Sequence, residues 1–75
     1  MRFSGFYVGT ITDPVDNYVN VREGPGTNYP IVQTVDVGDP YWFQKTNSNW
    51  VKLYEGDEFL GYIYFNRIDA SSPVP

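Results

Sequence analysis

The sequence predicts one small all-β domain. Three observations point there. Nowhere do apolar residues recur at the spacing of an amphipathic helix. Short runs of β-branched and aromatic residues instead alternate with clusters of Gly, Pro, Asn and Asp, the pattern of several short strands in a sandwich or small barrel. The chain has 75 residues, enough for one hydrophobic core and too few for two.

The elements follow in order. Phe6–Ile11 reads as a first strand, ended by Asp13-Pro14 because proline donates nothing to a ladder. Tyr18–Arg22 reads as a second, with Val19 and Val21 on one face and Asn20 and Arg22 on the other. Glu23-Gly24-Pro25-Gly26 is turn chemistry: Gly24 and Gly26 can take positive φ while Pro25 fixes its own, so the loop folds back compactly. Ile31–Val35 is a third extended segment, stopped near Gly38-Asp39-Pro40. Tyr41–Thr46, Trp50–Tyr54 and Phe59–Tyr64 form a meander, joined through Asn47-Ser48-Asn49 and through a loop of Glu55-Gly56-Asp57-Glu58. Phe65–Ile68 predicts one tight turn before a last short pairing. The segment Ala70–Pro75 is polar and proline-rich and reads as a flexible tail or linker. The organisation expected is an N-terminal strand and loop over 1–17 packing on a barrel, the barrel over 18–69, and the tail over 70–75.

Composition narrows the chemistry. Aromatic residues are 19% of the chain, and each buries a large area when placed inside. That offsets a size at which only roughly 60% of the unfolded surface is buried. There is no cysteine, hence no disulfide and no thiolate metal site. There is no histidine, so Ser–His and Cys–His nucleophile pairs cannot be built. Catalysis is left with a carboxylate pair or a Lys–Ser arrangement, and no motif supports either. The formal net charge is −4 and the isoelectric point about 4.3. Arg2, Arg22, Lys45, Lys52 and Arg67 are spread singly, so no basic stripe neutralises phosphates, and neither nucleic acid nor an anionic lipid surface is an expected partner. No apolar stretch reaches membrane-spanning length, so membrane insertion is not expected. Met1–Gly5 lacks the apolar core of a signal peptide, which fits an internal protein, a mature chain or an excised piece alike. Asp13, Asp16 and Asn17 do not supply the oxygen pattern of a calcium loop; neither a metal nor a cofactor is assigned.

One segment is more specific. Val19-Asn20-Val21-Arg22-Glu23-Gly24-Pro25-Gly26-Thr27-Asn28-Tyr29-Pro30 resembles the signature of bacterial SH3-like domains, an apolar-Asn-Val-Arg run leading into Gly-Pro-Gly and then Tyr-Pro. Trp50-Val51-Lys52-Leu53 resembles that family's Trp strand, and Gly61-Tyr62-Ile63 its Gly-Trp-Val strand. The sequence departs from the pattern at Glu23, usually a small Ser, and at Tyr62, usually Trp. The resemblance implies a small SH3-like barrel of five to seven short antiparallel strands with a short 3-10 turn near its C-terminus. It implies a non-catalytic binding or targeting module, of the kind that accompanies wall-active peptidases and amidases on peptidoglycan peptides. A periplasmic, cell-wall or secreted setting would follow.

Alternation places Tyr41, Phe43, Val51, Leu53 and Ile63 on the core face of the meander, and Trp42, Trp50, Tyr54, Tyr62 and Tyr64 on the other. Exposed aromatic clusters mark interaction sites, and aromatic grooves receive extended peptides. Trp42, Trp50, Tyr54 and Tyr62 are therefore the expected ligand-binding residues, with Tyr29 after the Gly-Pro-Gly loop as a further one. Two other readings stand beside it: the rings cover the second side of the sheet with Phe6-Tyr7-Val8 packed over them, and Tyr29 only pins its loop. The ligand expected is a peptide or peptidoglycan fragment. The alternative is a stand-alone inhibitor or immunity-type protein that binds another protein, for which small size and acidity are suited.

Overall fold

A computed structural model describes residues 5–47 and 49–73. The readings made for Met1–Ser4, for Ser48 in its turn, and for Val74 and Pro75 lie outside the described residues. Seven strands form one sheet: β1 (Phe6–Ile11), β2 (Tyr18–Arg22), β3 (Ile31–Asp36), β4 (Pro40–Lys45), β5 (Trp50–Glu55), β6 (Glu58–Tyr64) and β7 (Ile68–Pro73). A 3-10 turn at Phe65–Arg67 precedes β7, and no α-helix occurs among the described residues. The strand order is β3–β2–β6–β5–β4–β1–β7, and each pairing is antiparallel. This is the small SH3-like fold expected.

The core explains the curl of the sheet. Phe43, Leu53, Val51, Ile63, Val21 and Ile11 are almost wholly buried, and each contributes roughly 1.5–3 kcal/mol by leaving water. Val35 from the edge strand β3 and Ile68 from the opposite edge strand β7 belong to the same cluster. Both edges bury a side chain in one core only if the sheet wraps round it. Backbone bonds lock the end of β1 to the turn after β3: Ile11 N–H donates to Asp39 O at 3.0 Å, and Gly38 N–H to Ile11 O at 2.9 Å.

Several expectations need correction. β1 does not pack on an otherwise finished barrel; it lies within the sheet, hydrogen-bonded to β4 on one side and β7 on the other. The chain stays in the ladder through Pro73, past residue 69 where the sequence reading placed the start of a tail. The free backbone groups of β1 need partners, and an edge strand supplies them with small polar residues as well as with apolar ones. The loop read at Glu55–Glu58 narrows to Gly56-Asp57, because Glu55 and Glu58 oppose each other in the ladder. Gly56 has φ +61°, the first central position of a II′ hairpin turn, which glycine fills without strain.

Candidate functional site

The Gly-Pro-Gly loop is built around Arg22. From the end of β2 its Nη1 donates to the carbonyls of Thr27 (3.1 Å) and Tyr29 (2.9 Å). Glu23 N–H donates to Pro30 O at 3.0 Å, closing the base of the loop. Neither Gly24 nor Gly26 uses the positive φ open to glycine. A Cβ on Gly24 would meet three atoms of the Tyr29 ring at 2.5–2.6 Å, so Gly24 is needed for close approach and not for a left-handed turn. Tyr29 thus covers its own loop while staying 41% exposed.

The sequence-predicted residues fall in three places. Trp42, Tyr54 and Tyr62 share the outer side of β4, β5 and β6 and are half-buried. Tyr29 caps the loop. Trp50 stands apart, stacked on its cross-strand partner Tyr64 with ring centroids 4.4 Å apart and only 7% exposed. Its local position is fixed by Asn47, whose Oδ1 accepts the N–H groups of Asn49 and Trp50, each at 2.9 Å.

Two rings missed by alternation complete the outer face. Phe6 of β1 packs at 6.3 Å from Trp42 and edge-on at 5.0 Å from Tyr54. Phe59 packs at 5.3 Å from Tyr54 and edge-on at 5.5 Å from Tyr62. The result is a continuous strip, Trp42–Phe6–Tyr54–Phe59–Tyr62, with each ring in a tilted or edge-to-face contact of favourable geometry. Phe59 is an odd-numbered residue like the inward-facing Gly61 and Ile63. A bulge at Leu53/Tyr54 shifts the register and sets it opposite Tyr54, on the outer side. Phe59 remains 48% exposed.

The charges round the strip are unequal. Glu55 and Glu58 lie at the hairpin next to Tyr54 and Phe59. At the other flank Tyr62 has Lys52 and Arg22 as its ladder neighbours on either side. Glu55 alternates with Tyr54 and faces the other side of β5, near Tyr41, so the strip carries a basic flank at Tyr62 and no acidic end.

A cleft of about 230 Å³ lies beside the Trp50–Tyr64 stack. The β1–β2 loop forms one wall through Asp13 and Asp16, and β2 another through Tyr18 and Arg22. Asp13 accepts the N–H groups of Val15 (2.9 Å) and Asp16 (2.8 Å) and pairs with Arg67 Nε at 3.1 Å. The backbone N–H groups of Asp16 and Val15 hold its carboxyl below the usual 3.8; partial burial opposes them and Arg67 adds to them. Among the described residues no three acidic, His or Cys side chains gather to hold a metal. No helix is long and apolar enough to cross a membrane.

The family described as bacterial SH3 domain matches residues 17–67, more than half of the chain. No curated protein matches it, and no solved structure does.

Proposed function

Since the chain belongs to the bacterial SH3 domain family, a family of binding modules, we propose that it is a non-catalytic targeting module that docks a peptide-like ligand along Trp42, Phe6, Tyr54, Phe59 and Tyr62. The observation that carries this reading is the unbroken run of ring contacts on the outer side of the sheet. Aromatic rings give large contact area at low entropic cost, and an extended backbone lies readily along such a row. Lys52 and Arg22 favour carboxylates near Tyr62.

Bacterial wall peptides, extended and rich in carboxylates, suit this pattern. The strip is shallow, so single-site affinity is on the order of micromolar to millimolar. In a longer chain such a module would place a wall-active enzyme on its substrate by raising its effective concentration.

A chemical-shift titration with soluble peptidoglycan peptides tests the proposal. Saturable shifts at Trp42, Tyr54, Phe59 and Tyr62 are expected. The absence of any shift on the strip, together with one protein retained from a host lysate at nanomolar affinity, would replace the module by an inhibitor or immunity-type protein. The observation favouring that second reading is the loop Glu23–Pro30, held in one shape by Arg22 and exposed at Thr27, Asn28 and Tyr29.

A further inference from the structure

We propose that the pocket bounded by Phe65, β1, β4 and β7 is a binding site for a small aromatic carboxylate. Tyr7, Phe43, Lys45, Phe65 and Ala70 line it, around a volume of about 130 Å³. This goes beyond the peptide strip and rests on no part of it. None of these residues belongs to the strip, and none lines the cleft beside the Trp50–Tyr64 stack.

The walls decide the apolar part of the ligand. Tyr7 and Phe43 oppose each other across β1 and β4, with their rings stacked at 5.7 Å. Phe43 is 1% exposed, so one wall of the pocket is the core itself. Phe65 is 40% exposed and forms another wall; its N–H donates to Asn49 O at 2.7 Å, which fixes where the ring starts. Ala70, exposed on the edge strand β7, contributes only a methyl group. Ring carbons and a methyl give water little to hold, and an apolar cavity of about 150 Å³ takes up benzene. A pocket of this size and lining accepts one ring, through tilted or edge-on contacts.

Lys45 decides the charge. Its Nζ stands 5.1 Å from the centre of the Phe65 ring, a cation–π arrangement that holds the ammonium beside the pocket. Among the described residues Lys45 has no carboxylate partner, and its three N–H donors meet no protein acceptor. None of the lining residues is acidic, in a chain whose net charge is −4. A ring in the pocket that carries a carboxylate answers both features at once. The ring displaces loosely held water, and the carboxylate accepts a charge-assisted hydrogen bond from Lys45. One ammonium matches the single charge of a carboxylate and not the nearly double charge of a phosphate monoester.

The test uses benzoate as probe, near neutral pH and at constant ionic strength, with the ring resonances of Tyr7 and Phe65 as reporters. Saturable shifts at both are expected, with affinity near millimolar. Benzamide has the same shape without the charge and should bind about threefold more weakly or worse, the scale of one exposed charge contact. Lys45→Met keeps the stem over Phe65 and removes the charge, so it should bind benzoate and benzamide alike. Ala70→Leu fills the pocket from an exposed position, so it should keep the amide spectrum of the fold and lose the benzoate response. Phe59→Ala, on the strip, should leave the response unchanged. Three results would overturn the proposal: no saturable shift at Tyr7 and Phe65 up to about 50 mM benzoate, equal binding of benzoate and benzamide to the unaltered protein, or a preference for benzoate that survives Lys45→Met. Loss of the response in Phe59→Ala would also overturn it, by placing the probe on the strip. Where Ala70→Leu does not fold, the Lys45→Met comparison decides alone.

Discussion

The ring of Tyr29 occupies the space that a side chain on Gly24 would need. Three ring atoms lie 2.5–2.6 Å from where a Cβ would stand, and Gly24 itself is buried. The Gly-Pro-Gly element is thus half of a packing pair whose other half is the Tyr of Tyr-Pro, and Arg22 holds the two together through the Tyr29 carbonyl. Substituting Gly24→Ala should cost about 1–3 kcal/mol, the usual range for overpacking a fitted site. In a Tyr29→Ala background the same change should cost less than about half as much, because the clash partner is gone. Denaturant midpoints for the four proteins of this cycle check it; equal penalties in both backgrounds would mean that the backbone, and not the ring, demands glycine.

Gly61 does the corresponding work where β6 passes under β2. Its φ is +142°, and an added Cβ would meet the Arg22 carbonyl oxygen and Val21 Cγ1, both at 2.6 Å. Both the backbone conformation and the space exclude a side chain. Gly61→Ala should destabilise by at least about 2 kcal/mol, since strain at such a φ alone costs on the order of 1–3 kcal/mol. It should also loosen the Gly-Pro-Gly loop, because Arg22 would be pushed from its two carbonyls. Thermal unfolding reads the first effect, and faster amide exchange at Glu23 and Tyr29 reads the second.

These relationships show why the fold was legible in the sequence and the site only in part. Strand positions follow from where β-branched and aromatic residues lie and where glycine and proline stop them, and all of that is local. The core face of the meander, with Phe43, Val51, Leu53 and Ile63, follows from alternation. Alternation fails at Phe59, because one bulge moves it to the outer side, and bulges leave no mark in a single sequence. It places Trp50 correctly by side but says nothing of Tyr64 stacking over it. The cleft is hidden altogether, because Asp13 and Arg67, which brace it, come from opposite ends of the chain. Ala70–Ser72 misled by composition: their polarity is that of an edge strand as much as of a tail.

Acid stability should depend on Asp13. Its folded-state pKa lies below the usual 3.8, chiefly through the N–H groups of Asp16 and Val15. A depressed carboxyl pKa contributes stability that is complete above the unfolded value and is lost as pH falls through the lower folded one. Asp13→Asn keeps an oxygen for the turn and loses the charge facing Arg67. The natural protein should therefore exceed the variant in stability at about pH 6, and the difference should shrink as pH falls below about 4 and be lost once pH has passed below the folded-state value. Urea unfolding of both proteins across this range measures it. A difference that stays constant to the acid end would assign the role of Asp13 to shape and not to charge.

Phe59 separates binding from folding. It touches Tyr54 and Tyr62 and yet is 48% exposed, so it joins the strip without filling the core. Phe59→Ala cuts Tyr62 off from the rest of the run of rings. Affinity for a peptide ligand should fall about tenfold or more, in the range of a central aromatic contact, while the unfolding free energy should change by less than about 1 kcal/mol, as at exposed positions. Phe43→Ala is the converse case. With 1% exposure and a stacked contact to Tyr7, its loss should cost about 3–5 kcal/mol of stability. At temperatures where the Phe43→Ala protein remains folded, it should bind the ligand as before. Calorimetric titration beside denaturant unfolding gives both quantities for each variant. A Phe59→Ala protein that binds normally would remove the strip from the binding surface, because no other ring bridges Tyr54 to Tyr62 among the described residues.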